Sequence, residues 1–583
     1  MSQARATSTH AGASTAGTRK RGREYERKRL PPNRLLGSGY FMGAYSGEHI
    51  AGTEFVIGIA FVSMGVSTGD LLLGLLIGNL LAVLSWALLC SPVATRARIT
   101  IYWYLERLGG KSFSRLYNLL NGLIFAVISG AMITVSASAF RVLTDVPPQT
   151  GMLPTSASFI LIALAVGAFT VFLTIKGFRL ISNFASICAP WLGVMFVASG
   201  VVAIPVMAFQ GAQQGVEGLP ALLGEFVWTG QAADGSSPLS LWQIIAWAWG
   251  ANLPMHLGMS DMSILRFARR ARYGYASALG MFFGHYMAWA CAGMMGAAAA
   301  LMLNESLLNL DPGSVAFSVL GLSGLLAVVI AGWTTSIPSL YRAGLAFQSI
   351  FSAYSRTRVT LVTGVLTTLV ACFPFFFMQW MNVLAYFIIP LSPVGAIIIA
   401  EHFILPRLNR RPFWREQLGV ATNRAAFITW FACMGLAALL IASNVIHIFS
   451  VFLPVWCLAL VLYSVLAFRM APAHEGREDV WTQAYGPVET PGEPEDSLPR
   501  ESVQAQRPAN WLLYVSLACL ALILGAAFTV MLSEGPVMEA VDRFKLWIIF
   551  PTVLYFITAA GWLARRYRIR ARLKASQGVS ATP

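Results

Sequence analysis

The sequence predicts an all-α integral membrane protein, and three observations carry that prediction. Hydrophobic residues make up 56% of the 583 residues, charged residues only 11%, and mean hydropathy is +0.64; soluble domains carry about 25% charged residues. About fourteen apolar segments approach the roughly 20 residues that a helix needs to cross a hydrocarbon core about 30 Å thick. Their centres lie near Phe55, Leu81, Ala131, Ala165, Met195, Trp249, Trp289, Val329, Leu366, Ile388, Ala432, Leu458, Leu520 and Leu554. Basic residues collect in alternate connections between these segments, which is the pattern of a multi-pass chain.

Residues 1–40 form a basic arm. Arg19 to Arg29 lies within some forty polar residues without a small-residue cleavage site, so it reads as a topology and lipid-headgroup element rather than a signal peptide. The net charge of +15 does not mark a nucleic-acid surface, because it is divided among loops. Arg96, Arg98, Arg107, Lys111 and Arg115 follow the second span, and Lys176 and Arg179 the fourth. Arg266, Arg269, Arg270 and Arg272 follow the sixth, Arg356 and Arg358 the eighth, and Arg407, Arg410, Arg411 and Arg415 the tenth. The intervening connections carry Asp145, Glu217, Glu225, Asp234, Glu305 and Asp311. The positive-inside rule then places both termini in the cytoplasm of a cell membrane, plasma or inner. Arg141 reads as a residue of the outer interface.

Residues 41–469 hold twelve closely spaced spans. Residues 470–509 shift to Glu, Pro, Gly and Gln and read as a disordered cytoplasmic linker. Residues 510–566 add two further spans as an appendage, and 567–583 form a basic tail. The seven cysteines all fall in apolar segments without a CxxC pairing, so they read as small core residues. Gly39, Gly43, Gly47 and Ala51, and again Gly74 and Gly78, place small residues at four-residue spacing, the pattern of close helix packing.

The first and sixth spans are unusual. The first, inside Met42 to Val66, carries Glu48, His49 and Glu54. An ionisable group at membrane depth costs roughly 2.5 to 3.5 kcal/mol to insert on the gentler scales and is by default a functional-site candidate. The sixth reads Trp247-Ala248-Trp249-Gly250-Ala251-Asn252-Leu253-Pro254-Met255-His256, rich in helix breakers. Irregular backbone in a bilayer must be buried in protein or line a cavity, and interrupted helices at corresponding positions of two halves mark a transporter's binding site. One and six are five spans apart, so the core divides into two five-span repeats of opposite topology, with the eleventh and twelfth peripheral. An interrupted first helix would bring Glu48, His49, Thr53 and Glu54 to one cavity, where carboxylates receive a positively charged or donor-rich solute or carry protons. The alternative for Glu48 is an ionic contact near the membrane surface. His256 and His285 are read first as bonds to neighbouring helices, and Arg266 to Arg272 as a topology determinant.

Leu76-Ile77-Gly78-Asn79-Leu80-Leu81 stands in the second span, Trp333-Thr334-Thr335 with Leu340-Tyr341 and Gly344-Leu345 in the eighth, and Pro393-Val394-Gly395 with Ile397-Ile398-Ile399-Ala400-Glu401 in the tenth. Asp261 precedes Arg266-Phe267-Ala268-Arg269. In this order, from Gly47 to about Arg469, these strings resemble the nucleobase–cation symporter family, cytosine permeases in particular. The resemblance implies a five-plus-five inverted-repeat bundle working by alternating access, with Na+ or H+ as coupling ion and no other cofactor. It further implies a cation site built from the Ala331 carbonyl, the Thr334 and Thr335 hydroxyls, and first-span carbonyls near Glu48 and Ala51. Membrane threonines also bond their own helix carbonyls, which is the competing reading. The family's third-span aromatic and amide are missing: Leu119 to Phe140 contains neither Trp nor Gln, and Ser336 replaces the family's Asn. The expected substrate set is therefore His49, Glu54, Trp249, Asn252 and Ser336.

The reading is a symporter importing a small nitrogenous solute such as a nucleobase, with an amine or amino-acid-like solute as the alternative and a non-transporting sensor behind both. No nucleophile motif, phosphate loop or metal-ligand spacing points to an enzyme. The expected partners are a small-molecule substrate and the lipid bilayer; oligomeric state is left open.

Overall fold

Eleven helices among the described residues are long and apolar enough to cross a membrane. The computed structural model describes residues 28–474, 480–485 and 510–576. Most of the basic arm, most of the linker and the end of the tail lie outside the described residues. The second to fifth spans are Thr68–Ala97, Lys111–Val142, Ala157–Ile175 and Asn183–Gln214. The seventh, eighth and tenth are Ala271–Leu303, Pro312–Ile350 and Trp380–Arg407. The last four are Arg424–Ser443, Ile448–Met470, Trp511–Met531 and Val537–Ile569. The other three expected centres fall on shorter helices. The first span is split into Ser38–His49 and Gly52–Ser63, the sixth into Leu241–Gly250 and Leu253–His256, and the ninth is Arg356–Ala371. The expected count of fourteen therefore rests on two interrupted helices and one short one.

Both interruptions follow from local chemistry. In the first span Ala51 is extended (φ −146°, ψ −169°), and the helix restarts when the Glu54 carboxylate accepts the Ala51 N–H at 2.9 Å. A glutamate three residues into a helix that reaches back to the preceding backbone satisfies an orphan donor. In the sixth span the chain leaves the helix at Asn252 (φ −106°, ψ 19°), and Pro254, which has no N–H to donate, sits in the first turn of the next piece.

The helices sort into two groups. The third and eighth share the most extensive helix–helix interface, and both pack on the fourth and ninth, which pack on each other. The second packs on the sixth, and the seventh on the first and second. Corresponding members are five positions apart, as two inverted repeats require. Of the expected small-residue seams, Gly43, Gly47, Gly74 and Gly78 make close contacts, and Gly39 faces open space. A Cβ at Gly47 would come within 2.3 Å of Ala185 in the fifth span, and one at Gly78 within 2.6 Å of Ala248 in the sixth.

Three expectations need correction. The final pair is docked rather than loosely appended: Trp191 in the fifth span donates to Thr552 at 3.2 Å, and Tyr555 donates to the Ile187 carbonyl at 2.7 Å. The linker carries an ordered turn, Val480–Tyr485. Trp481 stacks on His402 at 4.1 Å, and the Ala484 and Tyr485 carbonyls accept from Arg107 and Arg29. Aromatic rings that stack on arginines and histidine outweigh a polar composition over so short a stretch. Arg266 is fully buried, its Nε donating to Ser263 O at 3.1 Å and its guanidinium 4.6 Å from the Phe267 ring, so it is more than a loop charge.

Candidate functional site

The two helix breaks meet at one central cavity. Glu48, His49 and Thr53 line it from the first span, Phe125 and Ile128 from the third, and Asn252, Pro254 and Met255 from the sixth. His285, Thr335, Ser339 and Trp380 complete the wall from the seventh, eighth and tenth. Its volume is about 40 Å³, room for a few waters.

On the cavity wall, donors are largely committed. His49 is buried, and its Nδ1 donates to the Tyr45 carbonyl at 3.0 Å, which leaves Nε2 as a bare acceptor without a partner. A carbonyl can only accept, so it fixes the tautomer. Thr53 donates to Glu54 Oε2 at 2.8 Å. The Asn252 amide donates to His285, 3.2 Å from Nδ1. Glu54 is fully buried one layer behind His285, with its second oxygen 3.6 Å from His285 Nε2. The His285 ring stacks on Trp289 at 4.2 Å. Among the described residues, no group of three or more His, Cys, Asp or Glu is placed to hold a metal.

Glu48 proves to be neither surface-exposed nor free. Both of its oxygens accept from Arg342 in the eighth span, one of them at 3.0 Å. Arg342 Nη2 also donates to Asp261 Oδ1 at 2.8 Å, and Asp261 Oδ2 accepts from Trp86 at 2.7 Å and Tyr45 at 3.0 Å. All five residues are buried. A desolvated bidentate pair of this kind is tolerated only because every charge finds a partner. Glu48 and Asp261 belong to the group of the first and sixth spans, Arg342 to that of the third and eighth. Arg342 also lies toward the end of the eighth span that leads to Arg356 and Arg358. The motif strings Leu340-Tyr341 and Gly344-Leu345 bracket Arg342 without drawing attention to it. The rule that singled out Glu48, a lone charge inside an apolar segment, would have found it.

The expected cation residues come together in part. A Cβ at Gly52 would lie 3.1 Å from Gly332, so the first-span break at Ala51 abuts the turn of the eighth span holding Ala331, Thr334 and Thr335. Thr334 and Thr335 donate to the Ala331 carbonyl at 2.9 and 3.4 Å. Their hydrogens thus point into the helix, as the competing reading held, while their oxygen lone pairs remain for a hard cation, which seeks an oxygen shell. The Glu48 side chain is turned to Arg342, so the oxygen it would offer the cation is the backbone carbonyl of the expected set. Of the substrate set, His49 and Asn252 face the cavity, and Glu54 stands behind it. Ser336 is buried, and its carbonyl accepts from Ser129 of the third span at 2.9 Å. Trp249 is displaced: it donates to Ser85 at 3.0 Å and lies edge-on to Phe452, outside the cavity. An interrupted helix changes register, so spacing from Asp261 could not place it.

No protein-family model and no curated protein matches the sequence. Solved structures do. Mhp1, a nucleobase-cation-symport-1 family transporter, in a closed conformation with bromovinylhydantoin bound, is 17% identical, with TM-score 0.56, covering 78% of this chain and 99% of that one. Its inward-facing conformation gives TM-score 0.58 at 17% identity over 79% and 99%. A Na+-coupled sialic acid symporter in a substrate-bound outward-open state gives 0.52 at 12% identity over 76% and 92%. The likeness shows the fold: the five-plus-five inverted-repeat bundle expected from the sequence.

Proposed function

We propose that this chain is a cation-coupled secondary transporter, distantly related to the nucleobase–cation symporters, that imports a small nitrogenous solute by alternating access. The observation that supports it best is the meeting of two interrupted helices, five spans apart, at one polar cavity. The solved structures of similar fold are of a nucleobase-cation-symport-1 family transporter and a Na+-coupled symporter. In the proposed cycle the cation sits between the Ala51 break and Thr334 and Thr335, and the solute in the adjoining cavity. The two helix groups then rock against each other. Cation binding favours the solute-competent state, and by linkage the solute favours cation binding equally. The triad of Arg342, Glu48 and Asp261 closes the cavity toward the arginine-rich face, which the positive-inside rule makes cytoplasmic. The solute is a nucleobase-like heterocycle if the resemblance extends to it, or an amine if the first-span groups decide.

The test is uptake of radiolabelled cytosine, hypoxanthine, allantoin and a polyamine into vesicles holding the full chain, under imposed Na+ or pH gradients. Gradient-driven accumulation of at least one is expected; accumulation of none under either gradient overturns the reading. Changing Thr334→Ala together with Thr335→Ala should remove sodium-dependent uptake and sodium-dependent thermal stabilisation. If both persist unchanged, the cation site is misplaced.

A further inference from the structure

The cavity's hydrogen-bond polarity carries information that the fold does not. Four polar groups on its wall have already given their hydrogens away: His49 Nδ1–H to Tyr45, the Thr53 hydroxyl to Glu54, the Thr335 hydroxyl to Ala331, and the Asn252 amide to His285 and the Met281 sulfur. What each still offers inward is a lone pair: His49 Nε2, Thr53 Oγ1, Thr335 Oγ1 and Asn252 Oδ1. His49 is 2% exposed and its Nε2 has no partner, an unmet acceptor that a ligand donor would satisfy. Two donors oppose these four acceptors, the Ser339 hydroxyl and the Trp380 indole N–H, both without partners. The nearest formal charges point the same way. Glu48 and Asp261 share the single positive charge of Arg342, which leaves one net negative charge beside the cavity. The Arg342 guanidinium already lies over the Phe125 ring, 5.3 Å from its centroid, and the Trp380 ring is the aromatic wall left for a second cation.

We infer that the transported solute is a compact nitrogenous cation bearing several N–H donors, of the ammonium, amidinium or guanidinium class, and not a neutral heterocycle. Its N–H groups go to His49 Nε2, the Thr53 oxygen and Asn252 Oδ1, and its charge lies beside the Glu48 carboxylate. This deepens the transport reading above and rests on it. A cavity of about 40 Å³ suits a solute of a few heavy atoms.

The experiment compares binding of methylguanidine, methylamine, tetramethylammonium and cytosine to the purified full chain by calorimetry and thermal shift, with gradient-driven vesicle uptake alongside. Methylguanidine should bind saturably and at least about tenfold more tightly than cytosine, as befits hydrogen bonds to a charged donor. Tetramethylammonium, a cation without N–H donors, should not bind. Thr53→Val, close in shape, should weaken methylguanidine by about tenfold while leaving the melting temperature near that of the parent, and His49→Leu by at least as much. Equal binding of tetramethylammonium, or cytosine binding as tightly as methylguanidine, overturns the inference. Gradient-driven cytosine uptake without methylguanidine binding keeps the transport reading and removes this one. Methylguanidine binding without gradient-driven uptake of any probe keeps the site and removes transport.

Discussion

Two buried arginines, near opposite ends of the eighth span, make ion pairs of the same chemistry and opposite mechanical meaning. Arg141 in the third span grips Asp311 at the start of the eighth with two bonds of 2.6 and 2.7 Å, and also donates to Val146 O and Ser314. Both partners belong to the helix group of the third, fourth, eighth and ninth spans. Arg342 instead reaches out of that group to Glu48 and Asp261 in the other. A pair within one group persists through any rigid rocking. A pair across two groups must break whenever they separate, and water must then enter to solvate three charges that are costly to bury unpaired. Under the proposed rocking of the two groups, the first pair is a permanent clamp and the second a latch, and of these two only the second would report the movement.

The sharpest way to break the comparison is Arg342→Ala. It strands two carboxylates in the closed state, a loss of about 3–5 kcal/mol, which shifts the closed-to-open balance by more than about a hundredfold. A cysteine placed at Ser339, with the seven native cysteines replaced, should be labelled correspondingly faster from the arginine-rich face. Unchanged labelling would mean that Arg342 is no latch. Arg141→Ala comes next. It should lower unfolding stability by about 3 kcal/mol, the low end for a broken buried pair, because Asp311 keeps the Ser314 N–H at 2.9 Å and a helix N-terminus. Labelling at Ser339 should not move; if it accelerates as in the Arg342 variant, the distinction between clamp and latch fails. Smallest is Glu539→Gln on the helix Val537–Trp547. Its contact with Arg543 is 3.9 Å long and both side chains are exposed, so denaturation should register less than about 0.5 kcal/mol. A larger effect would mean that charge on the docked final pair matters to the core.

Much of this architecture is legible in the residues themselves. Hydropathy places the spans, because a bilayer demands about twenty apolar residues in a row. The breaks in the first and sixth are visible as a glutamate-bearing restart and an Asn-Leu-Pro string, since helix interruption is a local property. Glu48 and Glu54 stand out singly, for a charge in an apolar run needs no neighbour to be conspicuous. Their partners do not. That Glu48 belongs to Arg342, 294 positions away, and Glu54 to His285 is a matter of which helices touch. Trp249 shows the same limit from the other side: its aromatic character is plain, but its rotation about an interrupted helix is not.

By itself the sequence determined that the chain is a helical membrane protein, built as two five-span halves with polar breaks in the first member of each. These are consequences of hydropathy, charge alternation and local backbone chemistry, all of which act over a few residues to a turn or two. Only the tertiary structure decided what the buried charges do. It tied Glu48, on the cavity wall, to Arg342, placed Trp249 off the cavity, and set His49, Thr53, Thr335 and Asn252 around it with their hydrogens turned away. The physical reason is that ion pairing, and which locally bonded side chains come to share one cavity, depend on contacts between residues remote in the chain, which packing alone brings within 3 Å.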